Sequence, residues 1–403
     1  MTRGFIPPKL EPPPAPRLAK PPKQIRVPVV LFALVILAGT CTTAVYFLIK
    51  KEEVPQPHFS SSTNPVYRPK STTTTIAARI VSIAPPPSTQ PTRLNVGSET
   101  KAEIQAFLES WSSAINENSD KAVGSMFDAP RDFEEMRSLG VLDGYSDRLF
   151  ARFSESFTPT IGQLICNDPL IHFRELKIGK VYSLSDPGEF LIYSRAWNLD
   201  SKREFDYRWW LRKSGPSWKI YDYQCLDGIN LRISRILAFA VGKVPQNGPA
   251  WCDGHHGFRN VIKACNEHDN HAIVRALYAL EQFHFPAEYE SILLATRGVT
   301  VSKNDHAEAI RLFTQALAKN PDNPGIYIAQ ARAFWMTKQY ENSAKATEAY
   351  LDLTGDNALL CGKLGNTYEE LHQLSKAAEA YRRGLFCDPN SRENREGLAR
   401  VNR

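Results

Sequence analysis

Cysteine and histidine residues crowd one stretch of this chain, and these residue types can bind a metal or form disulfides. The spacing C-x2-H occurs at Cys252–His255 and again at Cys265–His268. Thiolate and imidazole ligands at such spacings can close a tetrahedral zinc site. Solvated loop residues are a second interpretation, and a disulfide between Cys252 and Cys265 is a third. An oxidising location favours the disulfide, so we predict no bound metal and no other cofactor.

The cysteine count indicates an oxidising compartment. Apart from Cys41, six cysteines are available, and six can form three disulfides. Two antiparallel helices near the C-terminus would bring Cys361 close to Cys387. Cys166 and Cys225 would then form a bridge within a strand-rich region. Buried thiols are the alternative, since cysteine is a common core residue.

Several side chains of that strand-rich region have the chemistry of general acids or bases. Such catalysis requires a titratable group within hydrogen-bond reach of a substrate. Alternate strand residues point to opposite faces, so Asp206 and Asp222 are placed as readily toward solvent as toward a pocket. Tyrosines are ordinary sheet residues, and the candidates have no recognisable catalytic spacing. We predict no catalytic residue among His172, Tyr193, Asp206, Tyr207, Asp222 and Tyr223.

The elements that would hold these side chains change type along residues 98–230. Ser98 can cap a helix in which apolar residues from Ile104 to Ile115 recur at helical spacing. Further helical segments are predicted up to residue 157. From Ile161 the apolar period changes toward two, which predicts antiparallel hairpins. The predicted strands cover 170–176, 180–185, 189–199, 203–213 and 217–225.

Helices followed by a curved sheet that ends in Trp218-Lys219-Ile220 resemble the nuclear-transport-factor-2-like cone of the SnoaL-like superfamily. The resemblance covers residues 98–230 and implies a conical pocket between the helices and the sheet. Some relatives use such a pocket for isomerase or dehydratase chemistry, and many use it only for binding. The resemblance therefore implies an alternative function: a small-molecule binder or isomerase/dehydratase-type enzyme that is recruited by a second domain.

That second domain is indicated by a period of 34 residues from Ile292 to Pro389, the period of a stacked helix-turn-helix hairpin. The period places the small residues Ala309, Ser343 and Ala377 in register. Each is followed four residues later by Phe313, Thr347 or Tyr381, a spacing that suits the packing of paired helices. Residues 290–390 resemble three tetratricopeptide units, most clearly in the last one. The residues of the last unit that fit the pattern are Leu364, Gly365, Tyr368, Ala377, Tyr381 and Pro389.

This second resemblance implies a partner-binding surface, because the first helix of each tetratricopeptide unit lines a concave face. An apolar centre with one arginine suits an extended peptide or an amphipathic helix. Arg332 and Trp335 are the predicted hot spot, since these residue types dominate interface energetics. Packing within the chain is the alternative role. The predicted partner-binding residues are Leu294, Val301, Ile328, Arg332, Trp335, Met336, Asn366 and Glu369.

The N-terminal part predicts a membrane anchor. Residues 27–49 are 23 residues without a charge, and a helix of that length spans a hydrocarbon core of about 30 Å. The tail 1–26 is rich in proline and carries +5 of the chain's net charge of +6. By the positive-inside rule the tail stays in the cytoplasm and the rest is exported. A cleaved signal peptide is the alternative, but the long tail and long apolar stretch favour an anchor.

Composition predicts the remaining divisions and the function. Because 17 of the 28 prolines lie at or before Pro91, residues 50–97 are expected to form a disordered Pro/Ser/Thr-rich stalk. A helical connector with a degenerate repeat is expected over 231–289, and a cap over 391–403. The near-neutral remainder argues against a nucleic-acid partner. The prediction is a single-pass extracytoplasmic scaffold or tethering protein, built as an α+β cone domain followed by an all-α tetratricopeptide solenoid.

Overall fold

In the computed structural model, the described residues are 94–140, 160–167, 171–200, 202–226 and 269–403, with ten further positions between Arg232 and Ala264. The predicted anchor at 27–49, most of the predicted stalk, and the Cys252–His255 and Cys265–His268 pairs lie outside these residues. Across the part of the chain that is described, every helix is too short or too polar to cross a membrane.

The N-terminal part is an α+β domain, as predicted, with an antiparallel sheet whose strands follow chain order. The helices precede the four long strands and pack on one face of the sheet. The helices are α1 (Ser98–Asn116), α2 (Asp120–Ser125), α3 (Ala129–Arg137) and α4 (160–166), and the strands are β1 (Leu94–Asn95), β2 (Phe173–Ser183), β3 (Glu189–Asn198), β4 (Arg203–Ser214) and β5 (Ser217–Cys225).

Three local predictions differ from the structure. Ser98 is the first residue of α1, and the cap position belongs to Gly97. The chain around Ile161 is helical rather than extended, because the apolar residues of α4 are buried together on one helical face. β2 is a single strand where two were predicted. Register shifts after Arg174 and after Ile178 take up the irregular spacing of its apolar residues.

Glycines make two of the hairpin turns. Gly188, between β2 and β3, has φ of +83°, and Gly215, between β4 and β5, has φ of +61°. This left-handed backbone conformation is costly for residues with a Cβ atom and carries no such cost for glycine. The two turns join β2 to β3 and β4 to β5 as antiparallel hairpins.

The face of the sheet toward α1 is filled by aromatic side chains. The Trp111 ring of α1 lies edge-on to the Trp209 ring of β4, with centroids 5.2 Å apart. Tyr207 and Tyr223 stack against Trp209, and the Trp209 indole N–H donates to Ser194 Oγ at 2.7 Å. Since Trp111, Trp209 and Tyr207 are fully buried, their rings occupy the interior in which a cone pocket would lie.

The C-terminal part is entirely helical and forms the predicted tetratricopeptide-like repeats. Three hairpins stack in chain order, α6 with α7, α8 with α9, and α10 with α11, and a final helix packs against α10 and α11. The helices are α5 (Asn270–Leu280), α6 (Ala287–Val301), α7 (His306–Lys319), α8 (Pro324–Met336), α9 (Tyr340–Thr354), α10 (Ala358–Glu370), α11 (Leu374–Cys387) and α12 (Arg392–Val401).

Close packing within each hairpin depends on small residues. Ala309, Ser343 and Ala377, which the 34-residue period places in register, are all buried. In the last hairpin a Cβ atom on Gly365 would lie 2.4 Å from the Tyr381 ring. α10 and α11 therefore approach each other at a distance that only glycine permits.

The repeats cover the second face of the sheet. The Tyr350 hydroxyl of α9 donates to Asp206 Oδ2 at 2.7 Å, and Arg208 donates to the main-chain oxygen of Asp322. Both faces of the sheet are thus buried, one by the helices of its own domain and the other by the repeats. Leu353 of α9 packs on the apolar cluster of this second face, which consists of Leu191, Tyr193, Trp210, Tyr221 and Leu226.

Candidate partner-binding groove

Four of the predicted partner-binding residues lie on one face of α8. Met336 is 56% exposed, and Arg332 is exposed beside it. Trp335 is half-buried because its ring packs edge-on against Tyr340, with centroids 5.0 Å apart. Ile328 is also half-buried and packs on the core of the second and third hairpins. Three of the four residues therefore present a surface that a partner can reach.

Arg332 is the charged centre of this surface. Within the described residues it forms neither an ion pair nor a hydrogen bond to another side chain. Most arginines of the repeats are held differently, as in the pairs Arg311–Glu308, Arg383–Asp356 and Arg400–Glu369. The Arg332 guanidinium is thus available for a carboxylate, and its planar fork suits bidentate recognition.

Leu294 and Val301 belong to α6 and pack on an apolar core to which α8 also contributes. Both are half-buried and pack on the core shared by the first hairpin and α8, which includes Phe313 and Ile326. They therefore help to hold the two helices together as well as forming part of their surface. We call the exposed faces of α6 and α8, marked by Leu294, Arg332, Trp335 and Met336, the α6–α8 surface.

A cavity of about 270 Å³ opens next to Leu294, between α5, α6 and the loop that joins them. Arg297 and Glu281 form an ion pair at its edge, with Nη1 and Oε1 3.2 Å apart. Sequence reasoning missed this cavity, although the run Phe283-His284-Phe285 places two aromatic residues in the loop that borders it. The lining residues are Leu277, Leu280, Glu281, Phe283, His284, Phe285, Glu290, Leu293, Leu294 and Arg297.

Asn366 and Glu369, the predicted partner residues of α10, are engaged within the chain. Asn366 donates to Glu393 of α12 at 2.9 Å, and Arg400 of α12 donates to Glu369 at 2.8 Å. The Tyr381 hydroxyl, which has one proton to donate, lies within hydrogen-bond distance of both Asn366 Oδ1 and Glu369 Oε1. Burial, together with Glu369, raises the pKa of Tyr381. α12 thus covers the third hairpin where a further repeat would stack, and a partner role for Asn366 and Glu369 stays a prediction that requires displacing it.

The candidate acids and bases of the sheet are held by structural contacts. The His172 ring lies between Asp200 Oδ2, at 3.1 Å from Nδ1, and the Cys166 carbonyl, at 2.7 Å from Nε2. Tyr207 and Tyr223 belong to the aromatic interior around Trp209. These contacts account for the positions of the three side chains within the fold.

The other three candidates lie toward the repeats or toward the first repeat helix. Tyr193 packs edge-on against Tyr182 on the sheet face that the repeats cover. Asp206 accepts from Arg195 at 2.8 Å as well as from Tyr350. Asp222 is fully buried and accepts from the Ser234 hydroxyl at 2.6 Å. Neither aspartate lies in the interior between sheet and α1.

The cysteines differ from the predicted disulfides. Cys166, Cys225, Cys361 and Cys387 are thiols in this structure. Cys166 and Cys225 are buried in the domain core as small apolar side chains. Cys361 is buried in α10, where burial raises its pKa to about 11, whereas Cys387 is exposed at the end of α11. The Cys252–Cys265 disulfide stays a prediction, since both residues lie outside the described ranges.

Comparison with known proteins matches residues 301–359 to the family model of the tetratricopeptide repeat. The solved first tetratricopeptide domain of Spaghetti (RPAP3), bound to an HSP90 peptide, is similar at 21% identity and a TM-score of 0.27, covering 28% of this chain and 91% of that one. MamA is similar at 18% identity and a TM-score of 0.32, over 35% of this chain and 81% of its own. The matched residues contain α7, α8 and α9, so this part of the helical array is of the tetratricopeptide type.

Proposed function

We propose that this chain is a membrane-anchored scaffold or tethering protein that binds a partner protein or peptide on the α6–α8 surface. The observation that carries the proposal is that the exposed Met336 lies beside Arg332. Among the described residues, Arg332 has no ion-pair or hydrogen-bond partner. Exposed apolar side chains next to an unpaired arginine are typical of interfaces rather than of inert surface. The tetratricopeptide type of the repeats supports the same function.

The chemistry of this surface defines the partner. Met336 and Trp335 require apolar side chains opposite them, and Arg332 requires a carboxylate between those side chains. The cavity of about 270 Å³ beside Leu294 has room for a large apolar side chain. An extended peptide or amphipathic helix with apolar residues on both sides of an Asp or Glu meets these requirements.

The location is part of the proposal. Residues 27–49 anchor the chain in the membrane, the basic tail 1–26 stays in the cytoplasm, and the folded part lies outside it. In intact cells, an added protease should digest the C-terminal domains and leave the tail protected. Carbonate extraction should leave the chain in the membrane. Protection of the C-terminal domains in intact cells would reverse the proposed orientation.

A small-molecule enzyme built on a nuclear-transport-factor-2-like cone gains no such support. Trp111, Trp209 and Tyr207 are fully buried in the interior that an enzyme of that kind needs for substrate. The carboxylates proposed as acids or bases are used elsewhere, Asp206 by Tyr350 and Arg195. We therefore assign the α+β domain a structural role as the body on which the repeats are mounted.

The test uses a photo-crosslinking amino acid placed at Met336 of the full chain in its native membrane. A matched probe replaces Phe386, which is 89% exposed on α11 and lies away from the α6–α8 surface. We expect a discrete adduct from position 336, loss of most of it in the Arg332→Ala background, and no such adduct from position 386. Equal adducts from both positions would contradict the proposal.

A further inference from the structure

A buried charge cluster joins the α+β domain to the first repeat helix. It is formed by carboxylates and guanidiniums from α3, β5, the segment after β5, and the first turn of α6. Arg232 Nε lies 3.1 Å from Glu288 Oε1, and Arg235 Nε lies 2.8 Å from Glu288 Oε2. The same two arginines approach Glu135 of α3 at 3.6 and 3.4 Å. Arg232 and Arg235 therefore hold α3 and α6 together.

Asp132 also lies in this cluster, but its side chain forms no hydrogen bond with the described residues. It is fully buried, and among the described residues neither of its carboxylate oxygens accepts a hydrogen bond. One nitrogen of Arg235, Nη1, is also without a hydrogen-bond partner there. A buried ionised carboxylate without hydrogen bonds is strongly disfavoured, so the neutral form fits this environment.

Among the described residues, the charges that act on Asp132 come from its own helix, from β5 and from the segment after β5. Its own helix contributes Glu135 and β5 contributes Asp222, while Glu288 of α6 pairs with the two arginines. Burial raises the pKa of Asp132 well above its ordinary value, and the negative charges of Asp222 and Glu135 raise it further. The guanidiniums of Arg232 and Arg235 oppose this shift.

We propose that Asp132 makes the joint between the α+β domain and the first repeat sensitive to pH. The joint is closed while Asp132 holds its proton. When Asp132 ionises, its carboxylate competes with Glu288 for Arg232 and Arg235 and repels Asp222 and Glu135, so α6 loosens from α3. Because the folded-state pKa of Asp132 is raised, closure is complete at low pH and is lost as pH rises through that folded value. Glu288, whose pKa is about 2, stays ionised throughout this range.

The experiment measures amide hydrogen exchange of the full chain from pH 5 to pH 9, corrected for intrinsic exchange, in peptides from α3 and from the first half of α6. In the native chain, protection from amide exchange should fall about tenfold or more over the pH range where Asp132 ionises. Asp132→Asn should remain protected at every pH. Asp206→Asn is the control, since it alters a buried carboxylate bonded to Tyr350 at a different contact, and it should keep the native pH dependence.

Two further variants keep the test decisive if Asp132→Asn does not fold. Glu288→Gln removes the carboxylate that the arginines hold, so α6 should be weakly protected at every pH. Glu135→Gln removes one negative charge facing Asp132, so loosening should move to lower pH by about one unit. A native profile that is flat, an Asp132→Asn profile with the native pH dependence, or an unmoved midpoint in Glu135→Gln would overturn the proposal.

Discussion

The contact between Tyr350 and Asp206 predicts how firmly the repeats are attached to the sheet. Both side chains are buried, and the hydroxyl donates to Oδ2 across 2.7 Å. Tyr350→Phe removes this bond with little change in shape. A hydrogen bond to a charged group contributes about 1.5–3 kcal/mol. Asp206 would keep Arg195 at 2.8 Å and Asn357 at 3.4 Å, so we expect a loss near the lower end, about 1.5 kcal/mol.

The assay is urea unfolding of the full chain, followed by tryptophan fluorescence and by far-UV circular dichroism. A double-mutant cycle with Asp206→Asn isolates the pair, and the coupling should be about 1 kcal/mol or more. The matched control is Tyr340→Phe, whose hydroxyl bonds to Glu370 at the surface, and it should leave the free energy of unfolding nearly unchanged.

Two results would refute the reasoning. If Tyr350→Phe costs no more than Tyr340→Phe, the buried bond does not stabilise the folded chain. If the Tyr350→Phe and Asp206→Asn losses are additive, each residue acts through other contacts. Additivity would mean that the apolar packing of Leu353 on the sheet holds the repeats in place without the polar pair.

Three further predictions concern the repeats. Gly365→Ala should lower the free energy of unfolding by about 1–3 kcal/mol in urea titrations, because the new Cβ would lie 2.4 Å from the Tyr381 ring; an unchanged midpoint would mean that the two helices can separate freely. Burial alone would raise the pKa of Glu288, but Arg232 and Arg235 outweigh it and lower the pKa to about 2. Glu288 therefore stabilises the fold above its unfolded pKa, and this contribution, on the order of 3 kcal/mol, is lost as pH falls toward 2. When the free energy of unfolding is measured between pH 3 and 6, it should decrease less on acidification in Glu288→Gln than in the native chain. Phe386→Ser should leave the melting temperature unchanged, since the ring is 89% exposed; a clear decrease would show that this side chain packs on another part of the protein.

Local periodicity explains the parts of the fold that could be predicted. The 34-residue period predicted the hairpins because Ala309, Ser343 and Ala377 repeat at helix contacts, and these residues are indeed buried. The strands β3, β4 and β5 were predicted within a residue or two, since alternating side chains and the turns at Gly188 and Gly215 encode them locally. The local prediction was wrong at Ile161, where a short apolar run fits a strand and a helix equally well.

The candidate site was predictable only in part. A pattern of first-helix positions identified Arg332, Trp335 and Met336, and the structure exposes all or part of each. The same pattern selected Asn366 and Glu369, which bond to α12. The difference arises because a repeat pattern specifies which side of a helix a residue occupies but not whether another element lies on that side.

The sequence by itself determined the repeat type, the helix faces of the repeats and the strands β3 to β5, because these depend on residues close together in the chain. Only the tertiary structure decided that the repeats cover one face of the sheet, that aromatic rings fill the other, and that Asp132 is buried beside Asp222. These features depend on which surfaces meet over large separations in the chain. Asp206 and Tyr350, 144 residues apart, have no local pattern that links them, and their bond exists because the apolar faces around them pack together.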